Sequence, residues 1–309
     1  MPLQAMADLF VKIIIMLALG FFLRKKNIIT EDLQKGLNDL LLKAFLPVSI
    51  LASANAVLSA QARQNLLITA IIGLGYYIVA IVVTVLLSKT LPVSEKRRNV
   101  FVTMAVFANT SFVGFPIVKE LFGDEGFLYA VIYNLLYQLF FFTYGIHKLN
   151  GEKKGFQLKS LYTNVVTIVS VISIGIFLSP LRFPSAVVST FSTIGGATVP
   201  VSMLIIGASL ATIKLPSILK DGYSYIVSAL RLLIFPVLMM LVLRGLNMSP
   251  VVVSTCVVMT ALPCGSLNVI YSQRNDCEPE YAVRTVVQTM LLMIVTIPAI
   301  LLLMNVLVP

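Results

Sequence analysis

The sequence predicts an all-α polytopic membrane protein, and three observations lead to that prediction. The 309 residues are 58% apolar and only 12% charged, with a mean hydropathy of +0.96, whereas soluble domains carry roughly 25% charged residues. The apolar residues form stretches of about 20 residues, the length that an α-helix needs to cross a bilayer. Two of these stretches are interrupted by polar residues, Gly and Pro.

Ten segments are predicted to span the membrane. The fourth and ninth segments are the interrupted ones, so we expect broken helices there. The segments are about 6–23, 33–55, 64–88, 98–121, 126–147, 160–179, 184–211, 222–245, 249–272 and 280–307.

Basic residues indicate how these segments are oriented. Arg24 follows the first apolar stretch and Met1 to Leu9 carry no Lys or Arg, which is the reverse of a cleaved signal peptide. Because positive loops stay in the cytoplasm, the pattern predicts a multi-pass cell-membrane protein with both termini outside. The basic loops are expected to contact anionic lipids, and the sequence predicts no soluble domain that would bind nucleic acid. One set of loops carries Arg24, Lys25, Lys26, Lys35, Lys89, Lys96, Arg97, Arg98, Lys148, Lys153, Lys154, Lys159, Lys214, Lys220 and Arg274, and the alternate set carries Arg63, Lys119, Arg182 and Arg244.

The chain divides into two halves of five segments. The longest hydrophilic linker, 148–159, separates residues 1–150 from residues 151–309. An odd number of spans in each half means that the second half enters the membrane from the opposite side, as in the inverted repeats of secondary transporters. Helix breakers recur at matching places: Pro47 and Pro200 in helices 2 and 7, Gly114 and Pro116 in helix 4, and Pro263 and Gly265 in helix 9.

Breaks at matching places in two repeats point to a substrate site. A break frees backbone groups that lipid cannot satisfy, so it survives only inside protein or beside a wet cavity. Half-helix N-termini can then face an anion. Asn109, Thr110 and Ser111 lie beside one break, and Ser266 and Asn268 lie beside the other. The alternative is a simple proline kink that packing tolerates.

Other polar residues fall within the apolar segments. Asn134 and Gln138 share one face of helix 5, and Arg284 and Gln288 share one face of helix 10. They are expected either to line the cavity or to form interhelical hydrogen bonds. Arg231 lies a third of the way into helix 8 with no acid four residues away. It either attracts an anion, and then matters more for dianions, or it snorkels or pairs with helix ends.

Four stretches resemble the auxin efflux carrier family, which includes bacterial permeases for malonate and malate and the plant auxin exporters. The most characteristic is FANTSFVGFPIVKELFGDEGFLYAVIYNLLYQLFFFTYG, residues 107–145. The others are LNDLLLKAFLPVSILASA (37–54), VPVSMLIIGASLA (199–211) and ALPCGSLNVIYSQRNDCEPEYAVRTVVQTMLLMIVTIPAIL (261–301). The long central loop of many plant members is absent, which favours a bacterial-type member.

The resemblance implies a fold and a mechanism. It implies ten helices in a five-plus-five inverted repeat, with broken helices 4 and 9 crossing near the substrate. It also implies a scaffold, about 6–55 and 160–211, through which members often dimerise. A transport unit, about 64–147 and 222–307, would then move like an elevator. Asn109, Gly114 and Pro116 are carried over to one crossing segment, and Pro263 with its neighbours to the other.

The predicted function is secondary transport of small organic anions, such as malate, malonate or auxin-like weak acids. An anion channel is the first alternative and a membrane-embedded enzyme the second, although HExxH, GxSxG and P-loop motifs are absent. No cofactor or metal is predicted, and no carboxylate falls mid-helix in the transport unit to serve as a proton relay. The predicted substrate-binding residues are Asn109, Thr110, Ser111, Gly114, Pro116, Asn134, Gln138, Arg231, Pro263, Gly265, Ser266, Asn268 and Gln288.

Overall fold

The computed structural model describes residues 3–55, 60–150, 158–179, 181–212, 221–246 and 248–307. Within these ranges the chain is almost entirely helical, and its one extended pairing is an isolated β-bridge. Lys153, Lys154, Lys214 and Lys220, predicted to orient the chain, lie outside them. The helices are α1 (Leu3–Lys25), α2 (Glu31–Ala54), α3 (Ala60–Lys89), α4 (Glu95–Val106), α5 (Thr110–Asn150), α6 (Leu158–Thr163), α7 (Val165–Leu178), α8 (Ser185–Gly195), α9 (Thr198–Ala211), α10 (Gly222–Arg244), α11 (Pro250–Thr260), α12 (Ser266–Arg274) and α13 (Pro279–Leu307).

Six of the described helices are long and apolar enough to cross a membrane, namely α2, α3, α5, α10, α13 and the combined run of α8 and α9. Helix α7 and helix α11 are apolar but shorter. The predicted fourth and fifth spans meet inside α5, which bends at Gly123, where φ is +63° and ψ is −153°. Only glycine adopts this conformation readily, so the bend depends on that residue.

Both predicted interruptions are present, but the first lies upstream of the proline that predicted it. The chain is broken at residues 107–109, between α4 and α5, and at residues 261–265, between α11 and α12. Pro116, which the sequence places at the first break, lies inside α5, two residues after the end of a π-helical turn.

Wide turns explain how helices α2, α5 and α10 each accommodate a proline. A proline ring clashes with the carbonyl four residues earlier, and a π-turn, with its extra residue, relieves that clash. The same arrangement occurs three times, so these prolines bend a helix without breaking it. The pairs are Leu41–Phe45 before Pro47, Thr110–Gly114 before Pro116, and Leu230–Ile234 before Pro236.

The helices pack in two groups. In the first group α1 packs along α9, and the second half of α2 packs on α7 and α8. In the second group α5 contacts α3 and α11, while α10 contacts α11 and α13. The cavity and the ion pairs described below lie where α5 meets α2, α7 and α9.

Helices α1 and α9 approach closely because glycines lie at their crossing. A Cβ atom on Gly207 would overlap the carbonyl oxygen of Leu17, and a Cβ atom on Gly20 would overlap that of Leu204. We therefore expect Gly207→Ala to destabilise the protein by about 1–3 kcal/mol, the usual effect of overpacking. Thermal unfolding of the purified protein measures the loss.

Gly75→Ala is the matched control, since nothing lies within 4 Å of the Cβ that it would add. Alanine favours a helix over glycine by about 1 kcal/mol, so this variant should unfold at the wild-type temperature or slightly above. Equal unfolding temperatures for the two variants would contradict the tight crossing.

The sequence predicts ion pairs between Asp39 and Lys43 and between Asp8 and Lys12, which lie four residues apart on one helix, and predicts no disulfide framework. Lys43 pairs with Asp39 at 2.8 Å, as their spacing on α2 indicates. Lys12 forms its ion pair with Glu120 of α5, whereas the sequence predicted pairing with Asp8 on its own helix. A partner 108 residues away leaves no signal in local spacing. Cys256, Cys264 and Cys277 are free and buried.

Candidate functional site

The two chain breaks meet and are hydrogen-bonded to each other. The amide of Asn109 donates to the carbonyl of Pro263 at 2.9 Å, and the amide of Gly265 donates to that of Phe107 at 2.9 Å. Together these bonds form an antiparallel bridge between Ala108 and Cys264. Backbone groups that the breaks free from helices are thereby satisfied inside the protein.

Asn109 connects the two broken helices through its side chain. Its Oδ1 accepts a hydrogen bond from the amide of Phe112 at 3.3 Å, which caps the N-terminus of α5. Its Nδ2 donates to Oγ of Ser266, the first residue of α12, at 3.3 Å. Gly265, which precedes α12, has no side chain to cap that helix. Helix α12 therefore presents uncapped N–H groups beside Asn109.

Asn134 lies in the part of α5 after the bend at Gly123, and its side chain holds the first turn of α5. Its Oδ1 accepts hydrogen bonds from Oγ1 of Thr110 at 2.6 Å and from Oγ of Ser111 at 3.1 Å. The side chain is fully buried. Asn134 thus orients two residues at the crossing without itself facing the cavity.

Arg231 lies behind the crossing and binds the C-terminal ends of both interrupted helices. Its guanidinium donates to the carbonyls of Ala105 and Val106, at the end of α4, at 3.0 and 2.8 Å. It also donates to the carbonyl of Leu262 at 2.9 Å and, at 3.4 Å, to that of Thr260. Nη1 reaches the hydroxyl of Tyr76 at 3.2 Å. These contacts are the pairing with helix ends that the sequence left as an alternative.

A cavity of about 450 Å³ lies on one side of the crossing. Its end wall is residues 108–112 and residues 265–267 at the starts of α5 and α12. Lys43 supplies the one charged side chain among the described residues that line it, and no carboxylate does. Most of the remaining wall is apolar, with Leu42, Phe112, Tyr137, Phe142, Ile205, Ile206, Leu267, Ile270 and Met290.

The structure brings six of the thirteen predicted site residues to this cavity and places seven behind it. Asn109, Thr110, Ser111, Gln138, Gly265 and Ser266 line the cavity. Gly114 allows close packing instead, since a Cβ there would meet the side chains of Leu262 and Met259. Asn268 donates to the carbonyls of Phe107 and Gly265. Pro116, Asn134, Arg231, Pro263 and Gln288 are also outside the lining.

Sequence reasoning missed the wall that faces the crossing. Asn164 caps α7 by accepting from the amides of Val166 and Thr167, and this N-terminus also borders the cavity. Gln138 accepts a hydrogen bond from Thr167, which links α5 to α7. The segment before Val165 contains a capping residue at a helix start, a signal that would have identified Asn164. The apolar residues of α2 and α9 carry no comparable signal.

Known proteins resemble this chain over nearly its whole length. A family model described as "Membrane transport protein" matches residues 5–165 and 155–301. An uncharacterized transporter of Methanocaldococcus jannaschii is 24% identical over 275 residues, which cover 85% of this chain and 87% of that protein. An uncharacterized transporter of Methanothermobacter thermautotrophicus is 23% identical over 303 residues, covering 93% and 94%. This multi-span chain therefore belongs to the membrane transport protein family of the auxin efflux carrier type.

Proposed function

We propose that the protein is a secondary transporter of small organic anions, which bind as carboxylates in the cavity at the helix crossing. The observation that carries the proposal is the meeting of two helix N-termini, those of α5 and α12, at the end wall of this cavity. Backbone N–H groups at a helix start are ready-made donors for an anion. Among the described lining residues no carboxylate opposes that charge.

The electrostatics of the crossing support the choice of an anion. Each helix N-terminus carries the equivalent of about half a positive charge, and each C-terminus half a negative one. Arg231 binds carbonyls at the C-termini of α4 and α11, so its single charge offsets both negative ends. The positive ends of α5 and α12 are left for a ligand, and Lys43 adds a charge at the wall.

The apolar wall narrows the choice among carboxylates. Aromatic and aliphatic side chains surround the space in front of the crossing, and burying a second carboxylate there would cost several kcal/mol without a partner. A monocarboxylate with an apolar body, such as an aromatic weak acid, fits this arrangement better than malate or malonate. Among the described residues that line the cavity, Lys43 is the one cation that could pair with a second carboxylate. Lys43 already forms an ion pair with Asp39.

The proposed architecture has ten spans in a five-plus-five inverted repeat. Helix α4 and the part of α5 before Gly123 form the fourth span, and the rest of α5 forms the fifth. Helices α11 and α12 form the ninth span. The group containing α1, α2, α7, α8 and α9 is the scaffold, and the group containing α3, α4, α5, α10, α11, α12 and α13 is the moving transport unit. The cavity lies toward the loops rich in Lys and Arg, and hence toward the cytoplasm.

Ligand-induced stabilisation tests the proposed substrate class. A ligand that binds only the folded protein stabilises it by about 2.7 kcal/mol at a hundredfold excess over its Kd. We expect phenylacetate to raise the unfolding temperature more than malate does, and phenylacetamide, its uncharged analogue, to leave it unchanged. Equal shifts with phenylacetate and phenylacetamide would contradict anion recognition at the helix N-termini.

Counterflow in proteoliposomes separates a carrier from an anion channel. Proteoliposomes that contain a carrier and are loaded with unlabelled ligand accumulate labelled ligand transiently, because the one binding site of the carrier faces each side in turn. A channel equilibrates the label without accumulation. The carboxylate that gives the largest stabilisation is the ligand for this assay, and simple equilibration would favour the channel.

A further inference from the structure

A second cavity, of about 470 Å³, lies farther along the same helices. It borders α2 at Ser49 and Ala52, whereas the first cavity borders α2 at Asn38, Leu42 and Lys43. At 1.5 Å per residue, the two stretches of α2 are about 10–15 Å apart along the helix. The second cavity thus lies on the opposite side of the crossing, near the bend of α5 at Gly123.

Charged side chains connect the two groups of helices at this second cavity. Lys12 of α1 forms an ion pair with Glu120 of α5. Lys119 and Asp124, on either side of the α5 bend, pair with each other. Both also bind Ser53 of α2, whose Oγ accepts from Lys119 Nζ at 2.8 Å and donates to Asp124 Oδ1 at 2.7 Å. Ser53 is fully buried.

We propose that Lys12, Ser53, Lys119, Glu120 and Asp124 form a latch that holds α5 against α1 and α2 beside the second cavity while the first cavity is open. The inference rests on the proposed movement of α5 relative to α1 and α2. When α5 moves, the contacts of Glu120 with Lys12 and of Asp124 and Lys119 with Ser53 must separate. The latch therefore favours the state in which the ligand cavity faces the basic loops.

The chemistry of the cluster fits a reversible contact better than a second anion site. Its two lysines are balanced by one glutamate and one aspartate, so no net charge remains to hold an anion. The Lys12 side chain is 58% exposed and that of Asp124 is 52% exposed. Ion pairs open to water contribute little to stability, so they can break and re-form during each cycle.

Cysteine accessibility tests the latch without any substrate. Ala52→Cys places a thiol in the second cavity, and the three native cysteines are buried. We expect Glu120→Lys, which sets two like charges against each other, to speed modification of this thiol by a polar maleimide about fivefold. The double variant Lys12→Glu with Glu120→Lys restores the ion pair in reverse and should return the rate to that of Ala52→Cys alone.

Glu31→Lys is the matched control, because it breaks an ion pair with Lys35 that lies within α2 and away from the second cavity. It should leave the rate unchanged.

An unchanged rate in Glu120→Lys, or a double variant as fast as Glu120→Lys alone, would overturn the latch. If Glu120→Lys does not fold, Glu120→Gln should give a smaller acceleration in the same direction, and no acceleration would overturn the proposal equally. If no carboxylate stabilises the protein but the modification rates are as expected, the proposed anion substrate is refuted and the latch is still supported.

Discussion

Replacing Asn109 by alanine is expected to abolish transport and leave a folded, membrane-inserted protein. The variant loses the cap on the Phe112 amide and the bond to Ser266. Loss of an N-cap costs about 1 kcal/mol, a small part of the 5–15 kcal/mol that stabilises a typical native protein. Both bonds lie at the wall where the ligand is proposed to bind, so counterflow should disappear while the unfolding temperature falls by only a few degrees.

Asn109→Asp separates the capping role from the charge of the site. Aspartate caps a helix as well as asparagine does, so this variant should match the wild-type unfolding temperature. It also places a negative charge between the two helix N-termini, and we expect it to lose stabilisation by phenylacetate. Retained binding of the anion by Asn109→Asp, or wild-type counterflow by Asn109→Ala, would contradict the proposed site.

Replacing Arg231 by glutamine is expected to produce the largest loss of stability. The fully buried guanidinium satisfies carbonyls of Ala105, Val106 and Leu262, and a buried polar group without a partner costs about 1–3 kcal/mol. Glutamine has one NH₂ group and cannot reach all of them. We expect a loss of about 3–5 kcal/mol, the range for broken buried charge networks, measured by thermal unfolding in one detergent or lipid.

Arg231→Lys is the informative companion variant. Lysine keeps the charge but lacks the planar fork that lets arginine donate to several acceptors at once. Its stability should fall between that of the wild type and Arg231→Gln. If both variants are as stable as the wild type, the hydrogen bonds of Arg231 to the ends of α4 and α11 do not stabilise the protein as proposed. A loss of dianion binding that exceeds the loss of monoanion binding would then favour direct attraction of the ligand by Arg231.

The interruptions of the helices could be predicted because polar residues contrast with the apolar sequence around them. Asn109, Thr110 and Ser111 stand out in an apolar stretch, and all three line the cavity. The exact position of the first break could not be predicted from Pro116. A π-turn accommodates this proline within α5, and the helix is interrupted several residues earlier. Local sequence does not encode which turn will widen.

The contacts of Arg231 could not be predicted for a different reason. A buried cation usually has an acidic partner, whereas the acceptors of Arg231 in the described part of the chain are backbone carbonyls and one tyrosine hydroxyl. Every residue has a carbonyl, so such a partner leaves no sequence signal. The apolar wall of the cavity was missed similarly, since Leu42 and Ile206 look like ordinary residues of a membrane helix.

Arg231 has a consequence for how membrane voltage acts on the proposed cycle, because it is a counter-cation tethered to α10. If the transport unit moves like an elevator, Arg231 moves together with the binding site. The positive charge of Arg231 and the negative charge of a bound monoanion then cancel in the loaded transport unit. The voltage, worth about 2.3 kcal/mol per charge per 100 mV, would then act on the return of the empty site with its arginine. An inside-negative potential favours the inward-facing empty carrier. Voltage would therefore promote net export of a monoanion by resetting the carrier, with little direct force on the loaded step.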